Sequence, residues 1–140
     1  MGFSLTASAA IVGVAIVISI ELIVSTTIPT VTEVHDAYDD LTDRSIQRLQ
    51  TEINITNIRT SPNASLHDLN FEVQNKGSYT LDTNYFTVLI NGTKKTFVSN
   101  SRYIHPEEEG DFTVYYIGDG TNKIKVVTAN GISDYYVYKV

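Results

Sequence analysis

The first charged residue in this 140-residue chain is Glu21. Before and around it runs AAIVGVAIVISIELIVS, almost wholly Ala, Val, Ile, Leu and Gly. With its flanks the apolar stretch extends from Phe3 to Ile28, where Pro29 is expected to end it. Roughly 20 apolar helical residues cross a ~30 Å hydrocarbon core, so this stretch is long enough to span a bilayer with some tilt. Lipid offers the backbone no partners, and helix is then the expected state even for β-branched residues.

Three fates compete for such a segment. A cleaved secretory signal carries a basic leader and a short apolar core, whereas no Lys or Arg precedes Arg44 here. A buried core helix needs more surrounding chain than the remaining residues supply. A retained, single-pass membrane anchor over residues 1–28 is the expected fate. Its downstream flank is acidic (Glu33, Asp36, Asp39, Asp40 and Asp43), a weak pointer to an extracytoplasmic C-terminal side. Glu21 is the ionisable group inside the run. A carboxylate there either snorkels to the interface or makes an intramembrane helix contact with a partner chain. Gly13, Ala7, Ala10 and Ser19 would permit close helix packing.

Residues 29–50 read PTVTEVHDAYDDLTDRSIQRLQ. Val31, Val34, Tyr38, Leu41, Ile46 and Leu49 recur at helical spacing, which predicts an amphipathic stalk helix resuming after a break at Pro29. A short coiled-coil contact is the alternative to a plain spacer.

From residue 51 to 140 the texture turns to period-two alternation and turn residues. HDLNFEVQN puts Leu69, Phe71 and Val73 on one face, and TNYFTVLI does the same for Phe86, Val88 and Ile90. SPNAS, NKGS, PEEEG, GDGTN and ANG read as turns, and Asn91-Gly92 is a strong hairpin signal. Seven or eight short strands are expected, in an extracytoplasmic antiparallel β-sandwich, with a small barrel as runner-up. The tyrosines, Tyr135, Tyr136 and Tyr138 among them, are expected mostly to pack into the core.

Catalytic constellations are missing from the sequence. There is no cysteine, hence no thiol nucleophile, disulfide or thiolate metal site. His35, His67 and His105 are far apart and fit no zinc frame. GDGTN lacks the calcium-loop frame. Glu107, Glu108 and Glu109 read as a solvated loop, with a calcium or partner contact as the alternative. No enzyme activity, metal or cofactor is expected. The net charge of -6 argues against sequence-independent nucleic-acid binding. Three N-x-[ST] sequons make Asn54, Asn63 and Asn91 candidate N-glycosylation acceptors. Asn63, in an expected loop, is the best placed, and Asn91 doubles as a turn former.

The opening MGFSLTASAAIVGVAIVISI resembles the archaellum (archaeal flagellum) stator proteins F and G, within the archaellin and type IV pilin-like family. FEVQNKGSYTLDTNYFTVLINGT resembles their V-x-N-x-G-S…L…F-x-V-x-x-x-G strand pair, and KVVTANGISDYYVYKV their closing K-V-V-T…N-G hairpin. The resemblance implies an immunoglobulin-like domain under the S-layer, anchored in the cell membrane and serving as a static part of the motor. It implies the S-layer protein, the sibling stator protein and its own kind as partners, beside the lipid bilayer. The absence of a basic leader departs from processed filament subunits. An archaellin-like filament subunit or cell-surface adhesin is the alternative, and a membrane-anchored ligand receptor a third.

Overall fold

The computed structural model describes residues 2–63 and 65–140. The chain divides into two units, residues 1–43 and 44–140. Helix α1, Gly2–Leu49, supplies the first unit and the opening turn and a half of the second.

In the first unit every described side chain is exposed, so its Val, Ile and Leu residues find no burial within the chain. The helix is long and apolar enough to cross a membrane. The break expected at Pro29 does not occur, because Pro29 lies inside α1. A proline ring costs the helix one N–H donor and a clash with the preceding turn, about 3 kcal/mol. The residues around it suit a helix that must satisfy itself: Thr26, Thr30 and Thr32 hydroxyls each donate to the carbonyl four residues back, at 2.7, 2.8 and 3.1 Å. Ser8 and Ser19 do the same nearer the N-terminus. Such back-bonding hides hydroxyls from an apolar solvent.

The second unit is an antiparallel sandwich. Its strands are β1 (Ile53–Asn63), β2 (Leu66–Asn75), β3 (Leu81–Asp82), β4 (Thr87–Ile90), β5 (Thr93–Lys95), β6 (Val98–Ser99), β7 (Tyr103–Ile104), β8 (Glu109–Ile117), β9 (Thr121–Val127) and β10 (Ser133–Lys139). One sheet has the order β1-β2-β8-β6, the other β10-β9-β4-β5, and β3 pairs with β7 beside them. Two separate sheets make this a sandwich and exclude the barrel. The core forms where alternation placed it: Leu69, Phe71 and Val73 from β2 meet Val88 and Ile90 from β4 and Ile124 and Val126 from β9. Phe112 sits among the rings of Phe71, Phe86 and Phe97, with centroids at 5.5, 5.7 and 5.5 Å.

Local expectations fail at three places. Ser61, Pro62 and Asn63 continue β1 where a loop was expected. Pro62 is tolerated because β1 is an edge strand. Thr83–Tyr85 is a 3₁₀ turn, capped by the Asp82 carboxylate accepting from the Asn84 N–H at 3.0 Å. The tyrosines do not fill the core. Tyr138 is buried, whereas the other eight are exposed. Aliphatic and Phe side chains fill the interior, and each phenol keeps its hydroxyl near water. The Asn91-Gly92 turn forms as expected, with both φ angles positive (49° and 82°).

Candidate functional site at the helix end of the sandwich

The strands bring two buried polar clusters to opposite ends of the sandwich. The first lies where the last turn of α1 enters it. Asn75, at the end of β2, is fully buried and uses its whole side chain. Its amide donates to the Tyr79 and Ile104 carbonyls at 2.8 and 3.1 Å, and its oxygen accepts the Gly77 N–H at 3.0 Å. Its backbone N–H donates to the Glu108 carbonyl, and its carbonyl accepts the Glu107 N–H, both at 2.9 Å. The Gln50 carbonyl accepts the Ser78 and Tyr79 N–H groups, and the Glu52 carbonyl those of Lys76 and Gly77. The two backbone segments approach so closely that a Cβ at Gly77 would meet the Gln50 carbonyl oxygen, with the Glu52 nitrogen at 2.7 Å. Only glycine fits there, for steric reasons alone.

From the other sheet, Asn130 in the β9–β10 turn reaches the same place. Its amide donates to the Thr51 hydroxyl at 2.6 Å and the Gln47 carbonyl at 3.3 Å. Its carbonyl accepts from the Arg48 Nε at 3.0 Å. Thr51 donates in turn to Gln47 at 2.8 Å, which satisfies part of the helix's free C-terminal carbonyl set. Thr128 holds Asn130 in place, its hydroxyl 2.6 Å from the Asn130 side-chain oxygen. Beside this joint opens a cleft of about 400 Å³ between Arg44, Arg48, Tyr79, Phe86 and Asn130.

The two motifs that carry the sequence resemblance thus meet in space. Val73, Asn75, Gly77 and Ser78 come from one sheet, and Thr128, Asn130 and Gly131 from the turn leading out of the other. Both converge on Gln47–Glu52. The acidic run Glu107, Glu108, Glu109 lies here too. All three residues are exposed, while their backbone bonds to Asn75 and the Glu108 carboxylate accepts the His105 N–H at 3.1 Å.

The second cluster closes the far end. His67 on β2 is buried, with Nδ1 at 3.2 Å from the Asp119 carboxylate and Nε2 at 3.3 Å from the Tyr138 hydroxyl. A carboxylate only accepts, so Nδ1 donates to it, and in the neutral ring Nε2 is then the acceptor for the hydroxyl. The His67 and Tyr138 rings meet edge to face at 83°. Burial pushes the Tyr138 phenol up from 10.0 to about 12. The three residues come from β2, the β8–β9 turn and β10, which ties the two sheets together. In the sequence His67 is one of three scattered histidines.

Among the described residues no group of three His, Asp or Glu side chains is placed to hold a metal ion. Of the sequons, Asn54 is half-buried on β1 opposite Gln74. Asn63 ends β1, not a loop, with its amide held by both Asp68 oxygens at 3.1 and 3.0 Å. Asn91 is exposed, but its amide donates to Asn122 at 2.7 Å while its oxygen accepts the Lys123 N–H. Glu21 lies on the exposed surface of α1. His35, also on α1, is 3.7 Å from Asp39 one turn on.

No protein-family model and no curated protein matches the chain. Among solved structures, the archaellum periplasmic stator protein complex FlaF and FlaG from Sulfolobus acidocaldarius matches at a TM-score of 0.47 and 16% identity. The match covers 60% of this chain and 87% of that one.

Proposed function

We propose that the protein is a membrane-anchored structural component of the archaellum motor. Its β-sandwich grips the S-layer from below, and its helix holds it in the cell membrane, with a sibling stator protein as neighbour. The observation that carries this reading is the joint. The two motifs that resemble the stator proteins, some fifty residues apart in sequence, build one hydrogen-bonded clamp on the last turn of α1 and the residues just after it. A static motor part must resist torque, and a sandwich hung on a slack linker would swivel. The clamp holds Gln47–Glu52, the end of the helix and the residues after it, to both sheets. The reading places the sandwich outside the cytoplasm, the side on which glycans at Asn54, Asn63 or Asn91 would stand. It asks no catalysis of the chain.

The test is co-sedimentation of the full chain, in detergent micelles, with isolated S-layer sheets at physiological pH. The protein is expected in the pellet. A pellet free of it overturns S-layer binding.

A further inference from the structure

The apolar stretch of α1 holds a single charge. From Gly2 to Thr32 the helix carries Glu21 and no other Asp, Glu, Lys or Arg. The first base in the sequence is Arg44, well beyond the apolar stretch. The side chain of Glu21 is exposed, and nothing in its own helix serves it. Ser25, one turn on along the same face, donates instead to the Leu22 carbonyl at 3.2 Å. Thr26 donates to the same carbonyl and Ser19 to that of Ala15, both at 2.7 Å. Among the described residues no donor reaches the Glu21 carboxylate.

Under the membrane-anchored reading, depth makes that carboxylate costly. With Phe3–Ile28 centred on a ~30 Å hydrocarbon core, the middle falls between Ala15 and Ile16. Glu21 is then roughly 8 Å from the middle and about 7 Å inside the nearer boundary. Two features oppose its escape to the interface. Helical Cα–Cβ bonds tilt towards the helix N-terminus, which here is towards the middle of the core. A Glu side chain is also shorter than the Lys and Arg stems that snorkel. An ionisable side chain held at such a depth is paired or faces another protein segment.

The face around Glu21 suits a second helix. At about 100° per residue, Ala7, Ala10, Val14 and Ser25 lie within about 40° of Glu21 around the axis. Three of these four are small, so a neighbouring backbone can come close beside the carboxylate. We infer that Glu21 is the recognition point for a transmembrane helix of a different protein, one that carries an Arg or Lys at the same depth. A second copy of this chain does not meet that need. Side by side in the membrane, two copies set Glu21 against Glu21 and bring no base. Arginine is the better partner, because its fork can meet both carboxylate oxygens. A lone helix spins about its axis in lipid, whereas a charge pair on one face fixes its rotation. The inference deepens the reading of the chain as a static, membrane-anchored part and rests on it, and it does not depend on S-layer binding.

The experiment uses the full chain in phosphatidylcholine vesicles. The chain has no cysteine, so Gly2→Cys gives a unique site for a fluorophore. The probes are three synthetic Leu- and Ala-rich transmembrane helices that differ at one membrane-embedded position, which holds Arg, Glu or Leu. Association is read by energy transfer between chain and probe. The Arg probe is expected to bind about tenfold more tightly than the Leu probe, and the Glu probe no more tightly than the Leu probe. Glu21→Leu is expected to erase the preference for Arg. Glu21→Arg is expected to transfer it to the Glu probe, which also shows that the variant still inserts. A wild type that binds the Arg and Leu probes alike, or a Glu21→Leu chain that keeps the preference, overturns the proposal. Carbonate extraction of the same vesicles separates the two readings. A chain that is extracted fails as a membrane anchor, and the proposal falls with it. A chain that stays in the membrane and does not discriminate sinks the Glu21 contact alone.

Discussion

The two ends of the sandwich solve the same problem with different chemistry. At each end the sheets must be tied together where the apolar core runs out and polar backbone begins. At the helix end the tie is made by neutral amides, a hydroxyl and backbone groups of Asn75, Asn130 and Thr51, with Arg48 as the one charged donor, and Gly77 lets two chain segments touch. At the far end it is made of ionisable side chains, His67, Asp119 and Tyr138. Neutral amide bonds hold at any ordinary pH and depend on shape. In the ionisable set, burial pushes the Tyr138 phenol up to about 12. The end that carries α1 is therefore the one held by groups that do not titrate at ordinary pH.

The sharpest way to break this comparison is Gly77→Ala. The new methyl would meet the Gln50 carbonyl oxygen and lie 2.9 Å from the Thr51 Cα, and backbone cannot rotate away as a side chain would. A loss of about 3 kcal/mol or more is expected, with the lost protection concentrated at Lys76–Tyr79 and Gln50–Glu52 in amide hydrogen exchange. If the variant matches wild type in urea unfolding, the close approach at the joint is wrong.

A smaller effect is expected at the far end. His67→Leu keeps much of the volume of the ring but leaves the Tyr138 hydroxyl without its partner. The expected cost is about 1–3 kcal/mol, the price of a buried unpaired group. Exchange at Gln50–Glu52 should stay as in wild type, because the two clusters share no residue. Loss of protection at both ends together would show that they are one network.

Much of this was legible from period two. Leu69, Phe71 and Val73 alternate and are buried, as are Phe86, Val88 and Ile90. The same alternation, carried outward along HDLNFEVQN, puts His67 and Asn75 on the core face. That signal for both clusters was present, in a polar residue at each end of an apolar stripe. Their partners were not legible, because Asp119, Tyr138 and Asn130 are brought in by register and turn geometry from far along the chain. Pro29 misled because a proline inside a helix lowers its stability without always ending it, and α1 runs through it. The tyrosines misled because strand propensity is the same on either face of a sheet. Nothing local in SDYYVYKV says that Tyr138 faces in and Tyr135 out.

The finest distinction between the two ends is their response to alkali. Unfolded, the Tyr138 phenol titrates near 10.0; folded, burial raises it to about 12. Below pH ~10 both states keep the proton and the stabilising contribution is whole. Between ~10 and ~12 the unfolded chain releases its proton while the folded one retains it, so stability falls as pH rises. A shift of this size corresponds to at most about 2 kcal/mol, since the hydroxyl keeps some contact with solvent. Tyr138→Phe removes the group that titrates and should flatten this limb, while leaving the unfolding midpoint at neutral pH lower by the His67 hydrogen bond, about 1 kcal/mol. The difference between the two urea-unfolding curves, taken from pH 9 to pH 12, isolates Tyr138 from the lysines and exposed tyrosines common to both proteins. A difference that does not change with pH would mean that the phenol is no harder to ionise in the folded sandwich than outside it.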